Sequence, residues 1–207
     1  VGAGDNACIL HYTQNNQMIA DGDLILIDAG CELDYYASDI TRTFPANGRF
    51  SDEQRALYQL VLDSQYAAIA EVKAGNHWNQ PHEAAVEVLT QGLVELGILN
   101  GNVDQLIEEG AYREFYMHRT GHWLGMDVHD VGDYKVGGEW RLLEPGMVLT
   151  VEPGLYIRDQ DDVDKKWHFI GIRIEDDVLV TKDGYEVLTE AAPKEIDEIE
   201  ALMAEAI

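Results

Sequence analysis

Cys8 and Cys31 are the only two cysteines in 207 residues, which excludes a disulfide framework and any Cys-x-x-Cys metal pattern. Such sparse usage predicts a reducing compartment and a cytoplasmic protein. Neither thiol has an activating base beside it in sequence, so a cysteine nucleophile is disfavoured. Basic side chains are scarce too, 14 Lys plus Arg standing against 39 Asp plus Glu for a net charge of −25. A field of that sign repels phosphate backbones and anionic head groups, which excludes nucleic acid and membrane surfaces as partners. No apolar run approaches the roughly 18 to 20 residues that cross a bilayer, and no basic stretch followed by an apolar one opens the sequence. A Gly-x-Ser-x-Gly elbow and a Gly-Lys-Ser/Thr phosphate loop are both missing. His82-Glu83 begins like a zinc-protease helix but meets Val86 where the second histidine belongs.

What is present is ordinary globular material: 46% apolar and 26% charged residues, close to the usual composition. At roughly 100 to 200 residues per domain, one domain over residues 1–207 is expected. The chain opens at Val1 and turns β-like within a few residues, as a piece of a longer polypeptide would. Leu24 to Asp28 is an apolar run, and Tyr35 to Phe44 alternates before Pro45, which together predict a hairpin. Ser51 with Gln54 forms a capping box, and Leu57, Leu60, Val61, Ile69 and Val72 follow at helical spacing. A second helix is predicted from about His82 to Leu96, ahead of Gly97, and a third over Val103 to Glu109. Met147 to Glu152 and Ile170 to Val180 read as strands separated by a polar loop. Pro193 then opens an acidic helix with Ile196, Ile199, Leu202 and Met203 on one side. Strands, helices, strands and helix without a linker predict an α+β fold, an antiparallel sheet covered by helices.

The strands carry acidic residues in pairs. A hairpin turning between Leu33 and Asp34 sets Asp28 opposite Asp39, where facing Cβ atoms lie about 4.5 to 5.5 Å apart and like charges destabilise a sheet. Glu152 ends the run Met-Val-Leu-Thr-Val-Glu. Glu175 follows Gly-Ile-Arg-Ile, with Arg173 two residues earlier on the same face, so an ion pair with Arg173 competes with any other role for it. Four carboxylates at the inner ends of β-runs raise one another's pKa and weaken the fold unless cations lie between them, and two divalent ions balance their charge. His118, His122 and His129 within twelve residues, with His11 ahead of the first strand, exceed the needs of a core, so at least one is expected to bind metal. Gly121 and Gly125 weaken a helix there, so the spacing of His118 and His122 does not by itself make a zinc pair.

Six ordered words carry more. Leu26-Ile27-Asp28-Ala29-Gly30-Cys31, Ser38-Asp39-Ile40-Thr41-Arg42-Thr43-Phe44-Pro45, Gly121-His122-Trp123-Leu124-Gly125, Glu144-Pro145-Gly146-Met147, Val151-Glu152-Pro153-Gly154-Leu155-Tyr156 and Gly171-Ile172-Arg173-Ile174-Glu175-Asp176 closely resemble the Xaa-Pro aminopeptidases (aminopeptidase P). These are pita-bread metallopeptidases, as are prolidases and methionine aminopeptidases. The resemblance covers about residues 1 to 190. It implies a pita-bread fold, here without the first helices and strand of its first half and without the separate N-terminal domain. It also implies that Asp28, Asp39, His122, Glu152 and Glu175 ligate two divalent ions, with Asp39 and Glu175 as bridges. His11, His118 and His129 would then line the substrate cleft, and Arg173 would support the bridging region. Manganese is the ion the resemblance suggests, and an oxygen-rich site with one imidazole suits it. Two such ions sharing a water acidify it towards neutrality and turn hydroxide on a peptide carbonyl. Glu152 is the implied proton carrier, while His129, with His118 or His11, steadies the oxyanion or the proline ring. The implied partner is a peptide with proline in second place, and a homo-oligomer is compatible with the resemblance. A prolidase acting on Xaa-Pro dipeptides, and a metal-free binding module of the same fold, are the alternatives.

Overall fold

In the computed structural model, which describes residues 1–205, the chain opens with β1 (Gly2–Ala3) and a 3-10 turn (Gly4–Cys8), then forms β2 (Leu24–Ala29), β3 (Glu32–Leu33), β4 (Tyr36–Ala37) and β5 (Ile40–Pro45). β2 and β5 make the predicted hairpin, but in a different register: Asp28 faces Thr41 and not Asp39. The reason is the turn, which falls at Asp34–Tyr35 with both residues at positive φ, 51° and 69°. That is the backbone of a two-residue type I′ connection, built here without the glycine that usually marks it. Because side chains alternate with a period of two, Asp28 and Asp39 still share a face, now as diagonal neighbours.

Three helices follow, α1 (Asp52–Ala70), α2 (Gln80–Glu95) and α3 (Val103–Glu109). The capping box of α1 is complete: the Gln54 N–H donates to Ser51 Oγ (3.2 Å) and the Ser51 N–H to Gln54 Oε1 (3.0 Å). α2 starts slightly earlier than predicted because Pro81 fits its first turn. Leu57, Val61, Leu89 and Leu93 of these helices pack with Leu155, Ile157 and Ile172 in the main core. The two helices approach so closely at Gly92 that an added Cβ would lie 2.2 Å from Leu60.

The remaining strands are β6 (Lys135–Val136), β7 (Glu139–Trp140), β8 (Val148–Val151), β9 (Gly154–Ile157), β10 (Ile170–Arg173), β11 (Asp176–Val180) and β12 (Tyr185–Val187), with α4 (Ile196–Glu205) closing the described chain. β9 lies where the sequence suggested loop, and all four of its residues are buried. The single predicted strand Ile170–Val180 is two strands: β10 pairs with β9, whereas β11 pairs with β8 and β12, all antiparallel. Pro153, lacking an N–H, interrupts one ladder, and Ile174–Glu175 interrupts the other. At these bends the Ile174 N–H reaches the Pro153 carbonyl (3.3 Å) and the Glu175 N–H reaches the Thr41 carbonyl (3.1 Å). The bends thus place Glu152 and Glu175 beside the β2–β5 hairpin. α4 begins at Ile196 instead of Pro193, because the Pro193 and Lys194 carbonyls are taken by Arg42 Nε (3.1 Å) and the Tyr58 hydroxyl (2.9 Å). No helix among the described residues is long and apolar enough to cross a membrane.

Candidate metal centre

Five predicted residues arrive from different elements. Asp28 sits near the end of β2, Asp39 immediately before β5, and Glu152 and Glu175 at the two bends. His122 comes from a segment that runs beside β8, its carbonyl accepting the Thr150 N–H (3.0 Å) while the Thr120 carbonyl accepts the Glu152 N–H (2.7 Å). Ligand atoms of Asp39, His122 and Glu175, all buried, lie within 4.8 Å of one another. His122 Nε2 is 3.4 Å from Asp39 Oδ2 and 3.5 Å from Glu152 Oε1. Its Nδ1 donates to the Trp123 carbonyl (2.9 Å), which turns Nε2 towards the carboxylates.

Asp28 stands apart from that cluster. Its Oδ2 accepts from Arg173 Nη2 at 2.5 Å, so the arginine that competed for Glu175 is engaged by Asp28. Arg173 also donates to Thr41 Oγ1 (3.2 Å) and to the Tyr156 hydroxyl (3.1 Å). Thr41 in turn donates to Glu175 Oε2 (2.6 Å), and Thr150 to Glu152 Oε1 (3.2 Å). Threonines therefore fix two of the acidic side chains.

The electrostatics are those of crowded negative groups. Burial pushes Glu152 up to about 7, against the pull of His122 and Arg173. Glu175 is held well above the carboxylate range by burial first, then by Glu152 and Asp39. For His122, burial opposes the charged ring, but hydrogen bonds to Asp39 and the Trp123 carbonyl and the charge of Glu152 outweigh it and raise the pKa. Asp177 is pushed up to about 6 by burial; its Oδ2 accepts the Asp39 N–H at 3.1 Å. Groups this buried and this strained by charge call for cations. Carboxylate oxygens with one imidazole nitrogen fit a divalent metal centre, and no thiolate intrudes to favour a softer ion.

Beside the cluster opens a cavity of about 530 Å³ lined by Leu10, His11, Trp78, His118, Arg119, Gly121, His122, His129, Tyr134, Trp140, Glu152 and Arg173. The three predicted cleft histidines and Arg173 are all there. His129 lies 4.1 Å from the His122 ring, centroid to centroid, and burial followed by the His122 charge lowers its pKa. His118, lowered to about 4 by burial, contacts the Tyr156 hydroxyl through Nε2 (2.8 Å) and the Arg119 carbonyl through Nδ1 (2.7 Å). Tyr156 is thus the joint between Arg173 and His118, a role the sequence did not reveal, since β9 was not legible there. Trp78, Tyr134 and Trp140 of the cavity wall were missed as well, because single aromatics in loops or in a two-residue strand such as β7 carry no periodic signal.

Residues 1–182 match the model of metallopeptidase family M24. The Xaa-Pro aminopeptidase of Haemophilus influenzae is 57% identical over 203 residues, covering 98% of this chain and 47% of that protein. That of Escherichia coli is 52% identical over 206 residues, covering 100% of this chain and 46% of that protein. Among solved structures, aminopeptidase PepP of Pseudomonas aeruginosa superposes with a TM-score of 0.98 at 67% identity, over 99% of this chain and 47% of that one. Proline aminopeptidase P II of Yersinia pestis does so with a TM-score of 0.95 at 55% identity, over 99% and 47% of the two chains. The chain spans about half the length of these relatives, and the pita-bread α+β fold expected from the resemblance is the one it shares with them.

Proposed function

The chain belongs to metallopeptidase family M24, and from that premise we propose that it is a metal-dependent aminopeptidase releasing the N-terminal residue from peptides with proline in second place. The observation that carries this reading is the convergence of Asp39, His122 and Glu175 within 4.8 Å on a cavity lined by His11, His118 and His129. Asp28, Asp39, His122, Glu152 and Glu175 would hold two divalent ions, with manganese as the metal. When bound, such ions supply a water acidified towards neutrality.

The chain's own residues supply the rest. Glu152, 3.5 Å from His122 at the edge of the cavity, takes up a proton and delivers it to the departing prolyl nitrogen. That nitrogen belongs to a tertiary amide and leaves only once protonated. His129, lining the cavity beside His122, is the hydrogen-bonding group for the developing oxyanion, while His118, its two ring nitrogens engaged by the Arg119 carbonyl and the Tyr156 hydroxyl, offers its ring to the proline side. Arg173 holds Asp28 and, through Thr41, the carboxylate of Glu175. The same proposal takes residues 1–207 as one catalytic domain of a homo-oligomer. It also places the protein in the cytoplasm, which the unpaired Cys8 and Cys31 support.

The test is Mn²⁺-dependent release of the first residue from an Xaa-Pro-Yaa tripeptide, with the Xaa-Pro dipeptide alongside. Cleavage of the tripeptide is expected. Cleavage of the dipeptide alone makes the protein a prolidase, and cleavage of neither overturns the reading.

A further inference from the structure

With 14 Lys and Arg among 39 Asp and Glu, a cation in a functional cavity without an acidic partner is the unexpected case. Arg119 is one. It lines the cavity beside His118 and Glu152, yet its guanidinium donates to the neutral Asn79 Oδ1 and sits 5.3 Å over the Trp140 ring. Lys135 sits over the same ring at 4.1 Å. Glu83 is occupied by the Asn79 amide at 2.6 Å, and among the described residues neither Arg119 nor Lys135 forms an ion pair. The cavity's other arginine is different, its charge met by Asp28 at 2.5 Å. An amide oxygen and an indole face orient a guanidinium without neutralising it, which leaves donors free for a planar anion.

The substrate of the proposed reaction brings one. A cavity of about 530 Å³ lies within the range of small-ligand sites, about 300 to 1,000 Å³, so a peptide of a few residues with its scissile bond at Glu152 ends inside it. We propose that Arg119, seconded by Lys135 across Trp140, binds a substrate carboxylate beyond the scissile bond, foremost the C-terminus of a short peptide. Tripeptides ending in a free acid are then the preferred class. The inference rests on the aminopeptidase reading and adds a specificity residue to it.

The experiment compares kcat/KM of the Mn²⁺-loaded protein on Ala-Pro-Ala, its C-terminal amide and Ala-Pro-Asp amide, in the wild type, Arg119→Ala and Arg119→Lys. The free acid should beat the amide about tenfold in the wild type, mostly through KM, as a hydrogen bond to a charged group allows. That ratio should fall towards one in Arg119→Ala, persist in part in Arg119→Lys, and shrink as salt screens the exposed pair. A preference for the aspartyl amide over the alanyl amide would make a side-chain carboxylate the second source of the same anion. Equal rates on acid and amide in the wild type, or an unchanged ratio in Arg119→Ala, overturn this inference while the aminopeptidase reading stands. No cleavage of any of the three overturns both.

Discussion

Stripped of metal, the protein should lose stability relative to its Glu152→Gln variant as pH rises from 5 to 8, and divalent cations should abolish that relative loss. A carboxyl whose pKa in the fold lies above its unfolded value stabilises the fold fully below the unfolded value and forfeits that contribution as pH passes the folded one. Glu152 goes from 4.5 to about 7 through burial. At ~1.36 kcal/mol per pH unit, that shift alone is worth about 3 kcal/mol. Glu175 and His122 are both raised, and so act in the same direction. For a chain of this size a change of about 3 kcal/mol moves Tm by roughly 6 to 12 °C. His82 and His118 run the other way, since burial lowers them to about 3 and about 4 and their contribution grows as pH rises towards the ordinary histidine value, so the Glu152 share is read as the difference between the wild type and Glu152→Gln. Asp176 does not enter the window. Burial would raise its pKa, but Arg42 and Lys194 outweigh burial and lower it, so its contribution fades only in more acid solution. The assay is thermal unfolding at pH 5, 6, 7 and 8, with chelator and with saturating Mn²⁺, for the wild type and Glu152→Gln. The metal-free wild type should fall below Glu152→Gln by about 3 kcal/mol across that range, and with Mn²⁺ this relative fall should be absent. A metal-free wild type whose pH dependence matches that of Glu152→Gln would refute the reasoning.

Other outcomes follow from single contacts. His129→Ala should lower kcat by about 100- to 1000-fold with metal content unchanged by elemental analysis; loss of metal would make His129 part of the metal shell instead. Tyr156→Phe removes the hydroxyl shared by Arg173 (3.1 Å) and His118 (2.8 Å). It should cost about 1 to 3 kcal/mol in chemical denaturation, and a neutral result would show that those groups find other partners. Gly30→Ala would put a Cβ 1.9 Å from the Ser38 carbonyl and force apart the strands bearing Asp28 and Asp39. It should both destabilise the fold and weaken Mn²⁺ binding in calorimetry, and unchanged binding would separate the hairpin from the metal centre.

The sequence was most readable where one signal sufficed. The α1 capping box at Ser51 and Gln54, the stop of α2 ahead of Gly97 and the acidic ends of the β-runs all rest on local chemistry. It was least readable where the backbone departs from residue preference. A turn with Asp34 and Tyr35 at positive φ looks like no two-residue hairpin turn in sequence, and this displaced the register by one pair. β9 was hidden because Pro153-Gly154 reads as a break, and its four residues are buried without the polar alternation that marks a half-exposed strand. With β9 went the position of Tyr156, and with it the joint between Arg173 and His118. The threonines that hold Glu152 and Glu175 were in plain view, but a hydroxyl's partner is settled only in three dimensions. His122 entered through the family resemblance, since spacing alone left four histidines on equal terms.

Anomalous diffraction from crystals of the Mn²⁺-loaded protein tests the central claim most directly. Two manganese peaks are expected among Asp28, Asp39, His122, Glu152 and Glu175, with Asp28 drawn from Arg173 towards the ions. A map without manganese at those five side chains would contradict the account.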